Sequence, residues 1–140
     1  MFTFEWTEIL DMYELLATLT YWIIMLVLAG LCMFIFEMIT PYNDREELLK
    51  GNVAVGTQFA GKLIGIGIIT EASIAHNLSI WGAAIWMLIG FILMLISYFL
   101  FELITPFKVE QEIKNNNIAV AIVAASLSIF IGFAVSGSIT

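Results

Sequence analysis

Charge is scarce in this chain, and so are the residue types that do most enzymatic and metal chemistry. Charged side chains make up 12% of the 140 residues and hydrophobic ones 61%, roughly half the charge of an ordinary soluble domain. The single cysteine, Cys32, excludes an internal disulfide, and small apolar packing is its expected role. The single histidine, His76, falls in a short turn, where a solvated ring is expected. No Cys/His set has metal-ligand spacing and no Gly-rich phosphate loop follows a strand, so neither a metal nor a cofactor is expected. No nucleophile stands beside a base; no catalytic residue is assigned, and the chain is expected not to be an enzyme. A net charge of −7 argues against nucleic acid as a partner. Met1-Phe-Thr-Phe-Glu-Trp places no Lys or Arg ahead of the first apolar run, so a cleaved signal peptide is not expected.

What the chain has instead is long apolar runs. Residues 15–36, 78–101 and 118–139 carry no charge, and residues 53–70 carry only Lys62. Each is long enough to cross a hydrocarbon core of about 30 Å as a helix. Uninterrupted runs rather than period-two alternation select helices over a barrel. A mean hydropathy of +1.01 agrees. The expectation is an all-α, multi-pass membrane protein: one membrane domain over 1–140, with helices at about 14–39, 52–75, 78–104 and 117–139, and the lipid bilayer as its first partner.

Orientation follows from the cations. Arg45 and Lys50 lie in loop 41–52, Lys108 and Lys114 in loop 106–117, and the termini and the turn near His76 have none. The positive-inside rule then places both charged loops in the cytoplasm and both termini outside. Trp6, Tyr13 and Trp81 fall near the outer interface and Tyr42 near the inner one, where amphipathic rings collect. Glu5, Glu8, Asp11 and Glu14 recur every third residue ahead of the first span, as expected of a solvated lead-in.

The chain also repeats. Residues 34–74 align without a gap on residues 99–139, with 16 identities in 41 positions. Two tandem units, about 15–75 and 78–140, each of two helices, would enter the membrane in the same sense. Such a parallel duplication is related by an axis along the membrane normal.

The conserved-looking part of each unit is a corner: Glu37-Met-Ile-Thr40-Pro41, and Glu102-Leu-Ile-Thr105-Pro106. Proline lacks an amide hydrogen and pushes the preceding threonine toward extended backbone, so the helix stops there. Asn52 and Asn117 follow the loops at positions suited to cap the next helix. Glu37 and Glu102 oppose the local preferences, each lying near a helix carboxyl end and below the headgroups. Compensation is expected from the free amides of the next helix, or from a buried ion pair between Lys62 and either Glu37 or Glu102. Snorkelling of these side chains to the interface is the plainer alternative. Glu71, nine residues from Lys62 and half a turn around the helix, cannot pair with it. The copies differ where Gln58, Lys62 and Glu71 face Val123, Leu127 and Ser136, which makes the second span the polar one.

Small residues mark packing faces. Gly61 and Gly65 are four apart, as are Ala124, Ser128 and Gly132, with Ala121 and Ala125 alongside. Such stripes let helices approach closely in lipid. They serve packing within one chain or between copies; the expectation taken is a homo-oligomer, with other membrane proteins as further candidate partners.

The corners and caps resemble those of the YjfL-type family of small bacterial inner-membrane proteins, known as domain of unknown function 350. The matching residues are Glu37, Thr40, Pro41, Gly51, Asn52 and Ala54, then Glu102, Thr105, Pro106, Asn116, Asn117 and Ala119. Asn116 stands where that pattern has glycine. The resemblance implies a multi-pass protein of the bacterial inner (cytoplasmic) membrane built from two tandem two-helix units, and it brings no established activity. Two functions are therefore weighed. One is a non-enzymatic, homo-oligomeric assembly or accessory component held in register by buried Glu/Lys pairing at the cytoplasmic side. The other is a small ion or solute channel or transporter with Lys62, Glu37 and Glu102 along a polar path.

Overall fold

Capping residues set the helix boundaries. In the computed structural model, which describes residues 11–139, Asp11 opens α1 (Met12–Ile39) by accepting a hydrogen bond from the Tyr13 amide at 2.8 Å. The lead-in residues Glu5, Trp6 and Glu8 lie outside the described residues. Thr40 and Thr105 are the extended C-caps of α1 and of α4 (Ile80–Ile104), each just ahead of its proline. Asn52 caps α3 (Val53–Ala75) and Asn117 caps α6 (Ile118–Ser136), accepting from the Val55 amide at 3.1 Å and the Val120 amide at 3.4 Å. Each satisfies one donor that a helix start leaves free.

The charged loops are more ordered than their composition suggests. Each holds a short helix, α2 (Asp44–Leu49) and α5 (Val109–Lys114), with acids in the first turn where the helix dipole favours them. Asn43 caps α2, accepting from the Glu46 amide at 2.9 Å. Gly51 and Asn116 then reverse the chain with φ of 78° and 63°. Glycine takes that left-handed backbone freely, whereas asparagine tolerates it because its short side chain finds a local partner. Here that partner is across the bundle: Asn116 Oδ1 accepts from the Ala54 amide at 3.1 Å, while Asn52 Nδ2 donates to the Lys114 carbonyl at 2.9 Å. These bonds tie the two loops together at one end of the bundle, called the loop side below.

The four long helices are each long and apolar enough to cross a membrane, and no strand occurs among the described residues. The chain is an all-helical membrane protein. Its tightest seam is α3 against α6. A Cβ added to Gly61 would lie 2.4 Å from the Ala125 Cα, and one added to Gly65 would lie 2.6 Å from the Ser128 carbonyl oxygen. The two backbones therefore touch, which any side chain at Gly61 would prevent. Ala124, Ser128 and Gly132 are buried along the same seam, Gly132 against Gly65. Both small-residue stripes are thus consumed inside one chain, and they do not call for a second copy. α1 joins through larger groups instead, Phe36 meeting Phe91 edge to face at 5.4 Å between centroids.

Candidate functional site: a buried polar cluster at the loop side

Two helix faces and one loop converge on the carboxylate of Glu110. This residue is the second of α5 and is buried, as are its α5 neighbours Val109 and Ile113, whose apolar side chains anchor the short helix to the bundle. The Tyr42 hydroxyl lies 2.7 Å from Glu110 Oε2 and 2.8 Å from Gln58 Oε1, so its one hydrogen is shared between them. Gln58 Nε2 donates to Glu110 Oε1 at 2.8 Å, and the Tyr98 hydroxyl donates to that same oxygen. Three donors on two oxygens is the pattern a carboxylate, an acceptor only, satisfies.

Lys62 lies one turn beyond Gln58 on α3 and is 1% exposed. Its ammonium sits 4.9 Å from the ring centroid of Phe36 and 5.4 Å from that of Tyr98. Cation–π contact of this kind is strongest where water is excluded. Among the described residues the salt bridge found is Lys50 to Glu47, so Lys62 forms none with Glu37 or Glu102. The expected pairing is corrected accordingly. Phe36, not Glu37, is the fully buried residue at that turn of α1, because adjacent helix positions are about 100° apart. Glu37 is left half-buried to one side. The acids whose fields reach Lys62 are Glu110 and Asp44.

Asp44, at the start of α2, is buried as well. Burial raises its pKa, the Lys62 charge pulls it back, and the negative charges of Glu37 and Glu110 raise it further. Tyr42 is held above the usual tyrosine range, first by burial and then by the Glu110 charge. Its expected place in the inner aromatic belt is also corrected. Tyr42 is an internal donor rather than an interfacial ring.

The remaining expected residues divide. The amides of α3 and α6 go to Asn52, Asn116 and Asn117, and neither corner glutamate is their partner among the described hydrogen bonds. Thr40 Oγ1 donates to the Glu37 carbonyl at 2.9 Å, and Thr105 Oγ1 to the Phe101 carbonyl at 2.7 Å. Glu102 lies one turn after Tyr98, and its Oε2 is buried without a hydrogen-bond partner. It lines a cavity of about 280 Å³ together with Tyr98, Phe99, Pro41, Lys108 and Glu110. Glu71 is exposed near the far end of α3, at the edge of an apolar groove of about 390 Å³ between α1 and α3. No group of three or more His, Cys, Asp or Glu side chains suited to a metal occurs among the described residues.

Glu110, Asp44 and Tyr98 escaped the sequence-based expectations, Tyr42 was expected only as an interfacial ring, and Gln58 was noticed without a role. A usable signal was present. In the 34–74 on 99–139 alignment, Tyr42, Asp44, Gln58 and Lys62 face Phe107, Val109, Val123 and Leu127, and Glu110 faces Arg45. Apart from Tyr98, which precedes the aligned segment, the cluster is built from positions at which the two aligned segments differ.

Residues 9–139 match the family model described as Domain of Unknown Function (DUF350). The chain is 37% identical over 127 residues to the UPF0719 transmembrane protein YshE of Bacillus subtilis, covering 90% of this chain and 95% of that relative. It is 29% identical over 112 residues to the UPF0719 inner membrane protein YjfL of Escherichia coli K12, covering 80% and 83%. A UPF0719 transmembrane protein of Aquifex aeolicus is 24% identical over 81% of this chain and 44% of its own length. No solved structure matches.

Proposed function

This chain belongs to the DUF350 family of membrane proteins, and from that premise we propose that it is a non-enzymatic assembly or accessory component of the inner membrane. In this reading the Glu110 cluster locks two tandem helical hairpins into one rigid body and presents loops 41–52 and 106–117 to the cytoplasm. The observation that carries it is the contrast between the two ends of the interior. At the loop side the polar groups bond to one another. Beyond Lys62 the buried side chains are mainly apolar, among them Ile66, Ile69, Met87, Phe91 and Met94, and the hydroxyls of buried Ser73 and Ser128 donate to carbonyls of their own helices. A dry plug of that kind supports a scaffold over a conduit.

A homo-oligomer belongs to the same proposal, now supported by a different surface. The groove between α1 and α3 is lined by Trp22, Leu26, Gly67 and Glu71, and a second copy's helix would shelter Glu71 from lipid. Sizing in nanodiscs should find more than one copy per particle, and monomers alone would remove this part. Cysteines placed at Arg45 and Lys108 should both be labelled only from the cytoplasmic face; labelling of either from outside ends the topology.

A channel or transporter is favoured by one observation, the buried Lys62 ammonium with no ion-pair partner among the described residues. Its test is ion flux in liposomes. Flux that disappears in Lys62→Met would displace the scaffold reading, and no flux above empty liposomes would retain it.

A further inference from the structure

The cavity beside the cluster has a chemical character that the cluster itself does not explain. Asp44 and Glu110 are buried and Glu102 is partly buried, against one buried ammonium, Lys62. The loop side therefore gathers more acidic than basic side chains in a poorly solvated place, where a bare charge is costly. Independently, Glu102 Oε2 is buried, unpartnered and part of the cavity lining. The same lining carries the rings of Tyr98 and Phe99, which suit a cation, and Lys108 at the rim, which suits an anion. Glu102 lies two residues from the end of α4, about 3 Å along the axis, which is headgroup depth in a spanning helix. Phe99 and Ile39, both exposed, line the same cavity.

We propose that this cavity seats the headgroup of an aminophospholipid, with the primary ammonium donating to Glu102, the phosphate against Lys108 and the acyl chains running along Phe99 and Ile39. An ammonium bearing hydrogens satisfies the orphaned carboxylate oxygen, whereas a quaternary one meets the rings but donates nothing. The assignment is independent of whether the chain assembles or conducts.

The test compares the full chain in nanodiscs of phosphatidylcholine doped with phosphatidylethanolamine or with phosphatidylglycerol. Retained lipid is read by native mass spectrometry and stability by thermal unfolding. Phosphatidylethanolamine should be retained roughly tenfold over phosphatidylcholine, the ratio one good charge-assisted contact supplies. Glu102→Gln should erase that ratio and Lys108→Gln should reduce it. Glu102→Gln is isosteric and keeps an acceptor oxygen for the Val109 amide, so it should unfold normally in pure phosphatidylcholine and a lost preference cannot be put down to misfolding. Equal retention of the three lipids, or a preference intact in Glu102→Gln, overturns the proposal. Soluble phosphoethanolamine that reproduces the full thermal shift in phosphatidylcholine discs overturns the lipid as occupant in favour of the free zwitterion.

Discussion

The loop after α1 and the loop after α4 have the same plan and opposite roles. In both, an acid of the short helix accepts from the side-chain amide of the next N-cap: Glu47 from Asn52 at 3.1 Å, and Glu112 from Asn117 at 2.7 Å. Both turn on a residue with positive φ. Yet the second residue of α2 is the exposed Arg45, and the second residue of α5 is the buried Glu110. The first loop supplies a donor, Tyr42, and the second supplies the acceptor. Two similar corners thus form a single asymmetric site, because a carboxylate needs donors rather than another carboxylate. The identical residues maintain the corners, and the divergent ones make the cluster.

That contrast can be broken most severely at the seam on which it stands. Gly61→Leu forces α3 off α6 and should abolish cooperative thermal unfolding in detergent, since the obstacle is backbone rather than a movable side chain. Gly67→Ala, with open space around it, should leave the melting curve within a few tenths of a kcal/mol, about the size of surface effects in general. Equal damage from both would mean that the α3–α6 contact does not hold the fold.

Next in size, Glu110→Ala strands the Gln58 amide and the Tyr98 hydroxyl, leaves Tyr42 only the Gln58 oxygen, and should cost about 3–5 kcal/mol, measured by reversible denaturation in mixed micelles. Arg45→Ala, its counterpart in the other loop, should cost under about 0.5 kcal/mol. Comparable losses would make the two loops equivalent after all. Tyr42→Phe removes one donor and should cost about 1–2 kcal/mol, while Phe107→Tyr at the matching exposed position should change little.

The smallest effect is in pH dependence. Asp44 has its folded pKa raised by burial, so the fold holds its proton more tightly than the unfolded chain does. Its contribution is fully present below the ordinary aspartate range and is lost as pH rises through the elevated folded value. Asp44→Asn should flatten that part of the stability curve, and Lys62, which offsets the shift, keeps the change modest. A steeper curve in the variant would show the opposite sign.

Much of the fold was legible because it rests on local rules. A proline ends a helix wherever it stands, an asparagine caps the next one, and twenty apolar residues in lipid have few alternatives to a helix. The short helices α2 and α5 were not anticipated, since their charged sequences look like loop until Val109 and Ile113 find something to bury against. The site was less legible. Lys62 was singled out for its charge, but its surroundings are aromatic, and Glu37, one of its two expected partners, is one position around the helix from the residue that turns inward. Tyr42 and Tyr98 look like interfacial rings in a linear chain. Their hydroxyls became donors only because α5 folds back beneath them.

Four spans, their breaks at Thr40-Pro41 and Thr105-Pro106, and their caps at Asn52 and Asn117 are consequences of apolar length and of backbone chemistry acting over a few residues. Which carboxylate those spans enclose was settled by packing: the contact of Gly61 with Ala125 sets how closely α3 and α6 approach, and the loops fold over that end. Glu110 and Tyr42 are 68 positions apart, and no short-range rule acts over such a distance. Burial joined them, because an acid removed from water must be met by donors from whatever helices happen to surround it.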